Sequence, residues 1–385
     1  MSAASTSPRR SHGSRSDGRA PLKVLTVGGA MIDTIAIIDN AAIERMTLDN
    51  AGASFLLLEE GRKTEALEVS THCGGGAINA AIALARLGLD CSVLVKLGQD
   101  RRADQIIASL DAEGVSHRWA LRDEHAPTGA SVLVSSHERN AAVFTFRGAN
   151  TTLTPDDLAD DAFATDLVYI ANLSNEAARC FATIIDKAHA AGARIAANPG
   201  IRQLHAHGDA FQASLPRLDI LALNRREADE VVSLLDRDGD DGDAGLDFPG
   251  NLAPPPLAAR GLRFERRRMS VRAFCRALVR RGVGTVVLTD GRDGAFATAG
   301  DRLLYCPAHE AQVAGTAGAG DAFVSTFAAY AAGGNAADTA LRAASLNAAA
   351  VLGFVDTQTG LLRRQDIDAH LGGKNESPNV IEWAL

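Results

Sequence analysis

Gly315-Thr316-Ala317-Gly318-Ala319-Gly320-Asp321 runs directly into the apolar helical stretch Ala322-Phe323-Val324-Ser325-Thr326-Phe327. Glycines let consecutive backbone N–H groups turn toward one point, and a helix start adds its own unpaired N–H groups and the positive end of its dipole. The combination is an anion hole. An acid set in such a hole reads as a base held beside a phosphoryl group. Phosphoryl transfer to an alcohol needs a base near the hydroxyl and fixed positive character around the moving group. Asp321 meets the first need, and the N–H groups of Ala319, Gly320 and Asp321 meet the second. Each aligned donor is worth about 3 kcal/mol in the transition state. The structural alternative is a tight turn in which Asp321 only caps the helix.

Three further stretches share this character. In Cys73-Gly74-Gly75-Gly76-Ala77-Ile78-Asn79, glycines again open a helix, and bare backbone lets a ligand come close. Asn79, in the first turn, both donates and accepts, which suits a sugar hydroxyl. The alternative there is close packing of a helix on a sheet. Gly28-Gly29-Ala30-Met31-Ile32-Asp33 follows the first strand, and ligands of open α/β sheets bind at the carboxyl ends of strands. Asp33 can accept from two hydroxyls there, or cap. Asn224-Arg225-Arg226-Glu227 puts an amide and a carboxylate on one helical face, able to organise a magnesium water shell and phosphate oxygens. A surface helix start has the same pattern.

The elements that must position these residues alternate. Leu22–Val27, Ser92–Leu97, Leu167–Ile170, Arg194–Ala197, Asp219–Leu223 and Thr285–Thr289 read as strands. Helices are expected over Gly76–Leu87, Arg102–Glu113, Glu176–Ala190, Arg225–Leu235, Val271–Arg281, Asp321–Ala332 and Ala337–Leu352. That rhythm predicts βαβ units and a mostly parallel sheet covered on both faces. Ala130–Val134 and Ala141–Phe146 are strands around the turn His137–Asn140. Two segments break the rhythm. Residues 35–72 carry Ser54–Leu58 and Ala66–Ser70, expected as a hairpin that projects as a lid. Residues 236–268 turn from acidic to proline-rich to basic and read as a flexible surface insertion; their DGDDGD run lacks the terminal Glu of a calcium loop.

A net charge of −8 and a pI near 5.7 argue against a nucleic-acid scaffold. No apolar run is long enough for a membrane helix. The five scattered cysteines lack CxxC spacing and read as reduced thiols of a cytoplasmic protein. Residues 1–21 are Ser-, Arg- and Gly-rich and are expected to form a disordered tail, with one domain over 22–385.

In their order, the four stretches make the chain resemble the ribokinase-like sugar and nucleoside kinases, the GAGD sequence at 318–321 above all. The resemblance implies a three-layer α/β sandwich with a small β lid, and transfer of the γ-phosphoryl group of ATP to a hydroxymethyl group. It makes Asp321 the base and Gly318, Ala319 and Gly320 the anion hole. It places magnesium at Glu227 and Asn224, and substrate hydroxyls at Asp33, Gly74, Gly75 and Asn79. Glu138-Arg139-Asn140 and Phe146-Arg147-Gly148-Ala149-Asn150 are similar to the family as well, with Arg147 either meeting an anionic or hydroxyl-rich substrate or serving as an ion-pair partner. Asn224, Thr289, Gly291, Asn347 and Gly360 are the residues it places around the nucleotide. The lid makes a dimer in several members. Two departures stand out. Gly315 replaces a family Asp that helps form the site of potassium-binding members, which counts against potassium. Met31 replaces an Asn, which counts against simple ribose recognition. A nucleoside kinase of the adenosine or inosine type, and a non-catalytic sugar- or nucleotide-binding regulator, are the alternatives. A nicotinamide oxidoreductase would need a GxGxxG turn, which is absent.

Overall fold

The structure is a computed structural model that describes residues 20–39, 41, 44–48, 53–57, 59–61, 63–136, 141–235, 246–249, 253–373 and 378–385. The expected N-terminal tail, the DGDDGD run and Glu138 lie outside the described residues or, for the tail, almost wholly so.

In chain order the first strands are β1 (Lys23–Val27), β2 (Met31–Ile38), β3 (Glu44–Leu48), β4 (Ala53–Leu57) and β5 (Ala66–Gly74). Helix α1 (Gly76–Arg86), β6 (Asp90–Leu94), β7 (Lys96–Gly98), α2 (Arg101–Ala112), β8 (Leu121–Asp123), β9 (Gly129–Ser136) and β10 (Ala141–Phe146) follow. The middle of the chain holds β11 (Leu167–Ile170), α3 (Cys180–Ala190), β12 (Arg194–Ala197), α4 (Ile201–Ala206), α5 (Gly208–Ser214), β13 (Ile220–Asn224), α6 (Arg225–Leu234), α7 (Pro256–Arg260), β14 (Leu262–Phe264) and β15 (Arg267–Met269). The remainder is α8 (Val271–Arg280), β16 (Thr285–Thr289), β17 (Ala295–Ala299), β18 (Arg302–Cys306), α9 (Ala319–Ala332), α10 (Ala337–Leu352), α11 (Arg364–Gly372) and β19 (Ile381–Ala384).

Nine strands make the main sheet, in the order β19-β18-β17-β16-β13-β12-β11-β1-β6. Strands β6 through β16 run parallel, and β17, β18 and β19 add an antiparallel edge. The short apolar runs are buried along their whole length because both faces are covered. Alternation divides them between two cores. Val24, Leu167 and Tyr169 face α1, α9 and α10, while Leu25, Val27, Val168 and Ile170 face α3, α6 and α8.

The second sheet corrects the expected hairpin. Strand β4 pairs with β3, and β5 pairs with β2 from Met31↔Gly74 outward. The long strands β2 and β5 match in length, and that fixes register more firmly than the intervening turn residues do. Strands β9 and β10 join them in the order β10-β9-β2-β5. Residues 256–268, expected within a flexible insertion, instead belong to α7 and the β14–β15 hairpin, because Leu257, Leu262 and the adjoining Met269 are buried in the core beside α6 and α8.

Candidate active site

Two glycine-led helices begin at the same place. Helix α9 starts from Gly318, whose φ of 80° is left-handed, and a Cβ there would lie 2.6 Å from that of Thr357. No side chain caps this end. Helix α1 starts from Gly75, with φ of 96° and its Cα pressed against the Gly29 carbonyl, where a Cβ would come within 2.5 Å. Ala77 N donates to Gly29 O at 3.2 Å, and Thr26 Oγ1 donates to Ala77 O at 3.0 Å, so β1 holds the start of α1. A Cβ on Gly76 would lie 3.6 Å from Asp321 Oδ1. The bare backbone of α1 therefore faces the acid of α9.

Asn79 closes this arrangement. Its Nδ2 donates to Asp321 Oδ2 at 2.8 Å. Its Oδ1 accepts from Thr357 Oγ1 at 2.8 Å and from Gln358 Nε2 at 3.2 Å, and Gln358 Nε2 also donates to Cys73 O at 2.8 Å. Asn79 is 4% exposed. Expected at a substrate hydroxyl, Asn79 in the structure has its Oδ1 taken by two protein donors and one of its two N–H groups by Asp321, so it orients that acid. Two donors on Oδ1 leave only one amide orientation, with N–H toward the acid. Burial pushes Asp321 up to about 6, against the lowering effect of the Asn79 bond, and Asp33 adds repulsion. An acid near pH 6 is ionised at neutral pH yet basic enough to accept a hydroxyl proton.

The Asn224–Glu227 pair is a reciprocal capping box. Asn224 Oδ1 accepts from Arg226 N at 2.9 Å and Glu227 N at 3.0 Å, and Glu227 Oε2 accepts from Asn224 N at 2.8 Å. Asn224 is thereby a cap first, not a free ligand. Glu227 is pushed up to about 7 by burial, with Asp321 adding repulsion. The Tyr169 hydroxyl, fully buried without a partner among the described residues, is raised by burial and then by both carboxylates. Tyr169 was not singled out in the sequence, where it is one apolar residue of a strand.

Asp33 lies on β2 of the second sheet, not at the end of β1. Ser131 Oγ donates to Asp33 Oδ1, and His72 stands across from Asp33 on β5. Burial raises Asp33, which Ser131 and His72 partly offset. A Cβ on Gly74 would meet Asp33 Oδ2 at 1.9 Å, so any side chain there would displace the Asp33 carboxylate. Asn150 binds Ala30 from both sides, accepting from its N–H and donating to its carbonyl, each at 2.8 Å. Arg147 Nη1 donates to Ser174 Oγ at 2.5 Å, and no ion pair of Arg147 is found among the described residues.

Of the residues expected around a nucleotide, Thr289 ends β16 and Gly291 is exposed with open space beside it. Asn347 is corrected: it is fully buried, with Nδ2 on Thr326 Oγ1 at 2.8 Å and Oδ1 accepting from Leu362 N at 2.8 Å. It ties α10 to α9. Gly360 is buried against α10, where a Cβ would lie 2.3 Å from Ala350 O, so it serves close packing. A Cβ at Gly315 would lie 2.8 Å from Phe354 O, so residues 354–355 occupy the side-chain space at that position. Sequence reasoning missed Thr357, Gln358, Ser131 and His72 as partners of Asn79 and Asp33.

The sequence matches the pfkB family carbohydrate kinase description over residues 33–363. It is 25% identical over 320 residues to the deoxyribokinase of Salmonella typhi, covering 82% of this chain and 91% of the relative. The fold is similar to that of Burkholderia thailandensis nucleoside kinase in complex with inosine, with a TM-score of 0.67, 20% identity, and coverage of 90% and 97% of the two chains. An E. coli structure described as a ribokinase II with ATP and Mg2+ superposes with a TM-score of 0.69, 17% identity, and coverage of 91% and 99%.

Proposed function

The chain belongs to the pfkB family of carbohydrate kinases, phosphotransferases with an alcohol acceptor, and from that premise we propose that it moves the γ-phosphoryl group of ATP to a hydroxymethyl group of a sugar or sugar-like compound. One observation carries the reading: Asp321 stands in the first turn of an uncapped helix, aimed by Asn79 and raised to about 6. In the proposed reaction Asp321 takes the proton of the acceptor hydroxyl as its oxygen attacks phosphorus. The N–H groups of Ala319 and Gly320 stabilise the charge on the phosphoryl oxygens, and ADP leaves. Asp33, with Gly74 and Gly75 clearing space, holds acceptor hydroxyls, and Thr289 and Gly291 border the nucleotide.

Magnesium fits the site's charge. Glu227 and Asp321 are both raised chiefly by burial, and Asp321 adds repulsion at Glu227, so a bound cation would offset a cost at both acids. No cluster of three or more metal-binding side chains occurs among the described residues. A magnesium ion here would be held through water and phosphate oxygens, with Glu227 as the residue to anchor that shell. It would supply charge neutralisation on the phosphates. The filled space at Gly315 supports independence from potassium.

A nucleoside as acceptor is favoured by Met31, which replaces a polar amide in the row of Gly74 and Gly129. Val69, Val132, Phe144 and Phe146 expose an apolar face on the second sheet, which suits a lid that pairs with a second copy. The free cysteines and the need for ATP suit the cytoplasm. The test is ADP release across sugars and nucleosides. Turnover that stays equal in Asp321→Asn, or is absent throughout, overturns the reading; calorimetric binding without transfer would indicate a regulator.

A further inference from the structure

Two histidines from separate parts of the chain meet near the surface. His309 follows β18, and His370 lies in the last turn of α11, 61 residues away. Their Nε2 atoms stand 3.3 Å apart, and their ring centres 5.3 Å apart with the planes at 62°. His309 Nδ1 lies 3.1 Å from the carbonyl oxygen of Glu310, which can only accept, so Nδ1 carries the proton. The Nε2 lone pair of His309 therefore faces His370. Metal-bound histidines share this arrangement, with the second ring N–H donated to a carbonyl or carboxylate.

The distances suit an ion between the rings. Two imidazole nitrogens on one tetrahedral zinc, each about 2.05 Å from it, stand about 3.3 Å apart, with ring centres about 5.2 Å apart. A straight N–H···N bond of that length would set the ring centres about 5.6 Å apart, and it would be longer than hydrogen bonds usually are. Each ring is also held by its own element. His309 N donates to Ser345 Oγ of α10 at 2.9 Å, and Ser345 Oγ donates to Pro307 O at 3.3 Å. On the other side, Ile367 is buried in the core and Tyr330 Oη of α9 donates to Asp368 Oδ1 at 2.5 Å, which fixes α11. Both histidines are half-buried, so an ion can reach them from solvent. The carbonyl end of α11 adds negative potential there.

We propose that His309 and His370 bind a divalent transition-metal ion of the zinc class, with water completing a tetrahedral shell. The site is independent of the kinase reading and of magnesium, which prefers oxygen ligands. The ion fastens the segment after β18 to α11. A Cβ on Gly294 would lie 2.4 Å from Cys306 O and 3.1 Å from Ala308 N, so this segment packs on the turn that follows Gly291. The same segment leads on to the uncapped start of α9. The metal is thus a brace between the C-terminal helix and the backbone that approaches the site.

The experiment uses the untagged full chain, freed of metal with a chelator and kept without nucleotide. Zn2+ binding is followed by calorimetry, and Co2+ binding by visible absorption. The expected result is one site of micromolar affinity, the intense bands of tetrahedral Co2+, and no displacement of Co2+ by Mg2+. Zn2+ at about 100-fold above its Kd should raise Tm by roughly 2–4 °C. His309→Gln and His370→Gln should each weaken binding by roughly 100-fold and abolish the Tm rise, with the metal-free Tm and far-UV circular dichroism near those of the wild type. X-ray absorption at the zinc edge of the wild type needs no variant and should show two imidazoles with oxygen ligands. A thiolate shell, or equal Zn2+ affinity in the wild type and the double variant, overturns the proposal by placing the ion elsewhere. Absence of binding overturns it too and leaves the pair as a hydrogen bond.

Discussion

Helices α6 and α9 begin with the same formula and use it in opposite ways. Each follows its cap residue with an acid at the third helical position, Glu227 after Asn224 and Asp321 after Gly318. In α6 the cap and the acid satisfy each other's backbone N–H groups. In α9 glycine replaces the capping side chain, and the acid is held from outside by Asn79. A self-satisfied helix start has spent its donors and holds a helix in place; an open one keeps its donors for a ligand. Both acids are raised, to about 7 and about 6, so each is poised near neutrality.

The strongest way to break this comparison is Asp321→Asn. We expect kcat to fall by roughly 1,000-fold or more with ATP binding little changed, as measured by ADP release and by calorimetry. The same variant should be more stable at pH 7, by about 1–2 kcal/mol in urea unfolding. The sign follows from a raised acid: the fold favours its protonated form, so stability is lost as pH rises from the ordinary carboxylate range through about 6. A destabilised, fully active Asp321→Asn would mean that α9 is closed like α6.

Glu227→Gln separates capping from metal binding. The amide oxygen still accepts from Asn224 N, so stability should hold within about 0.5 kcal/mol. The apparent magnesium requirement should rise by roughly tenfold. In the wild type the same requirement should tighten as pH climbs through about 7, because Glu227 must shed its proton to serve the cation. A variant that unfolds more easily with an unchanged magnesium dependence would make Glu227 a cap only.

Asn79→Ala should slow turnover by roughly 10–30-fold and carry the acid limb of the pH–rate profile upward from about 6, by roughly one pH unit. The removed bond stabilises the ionised acid, so the shift must be upward. The smallest effect is expected for Thr357→Val, a loss of about 2–3-fold, since Gln358 still donates to the same amide oxygen. An Asn79→Ala effect confined to substrate KM would instead restore the substrate role that its residue type suggests.

Much of this molecule was readable along the chain. The strands at 167–170, 194–197 and 285–289 and the helix at 337–352 lie where their apolar runs place them. The glycines at 75 and 318 each mark a left-handed backbone position crowded by its neighbours, and the glycine at 74 leaves room for the Asp33 carboxylate. The second sheet was harder. Ala66–Gly74 is a plain strand by pattern, but its partner Met31–Ile38 comes from the other side of the β3–β4 hairpin, and alternation does not name a partner. Asn347 shows the limit from the other side: the resemblance sets it at the nucleotide, whereas in the structure it is buried and ties α10 to Thr326 of α9 and to Leu362.

Residue type and order by themselves determined the chemistry: a carboxylate after glycines at a helix start, a second acid in a helix's first turn, and parallel strands to present them. Only the tertiary structure decided which side chain answers which. Asn79 and Asp321 are 242 residues apart, and Thr357 is 278 from Asn79. Local propensity and periodicity fix a side chain's element and face, because they act between neighbours along the chain. A hydrogen bond depends on distance and angle between atoms that meet only once the sheet has brought two helix starts together. For that reason the amide that the sequence sets at a substrate is the residue that holds the Asp321 carboxylate.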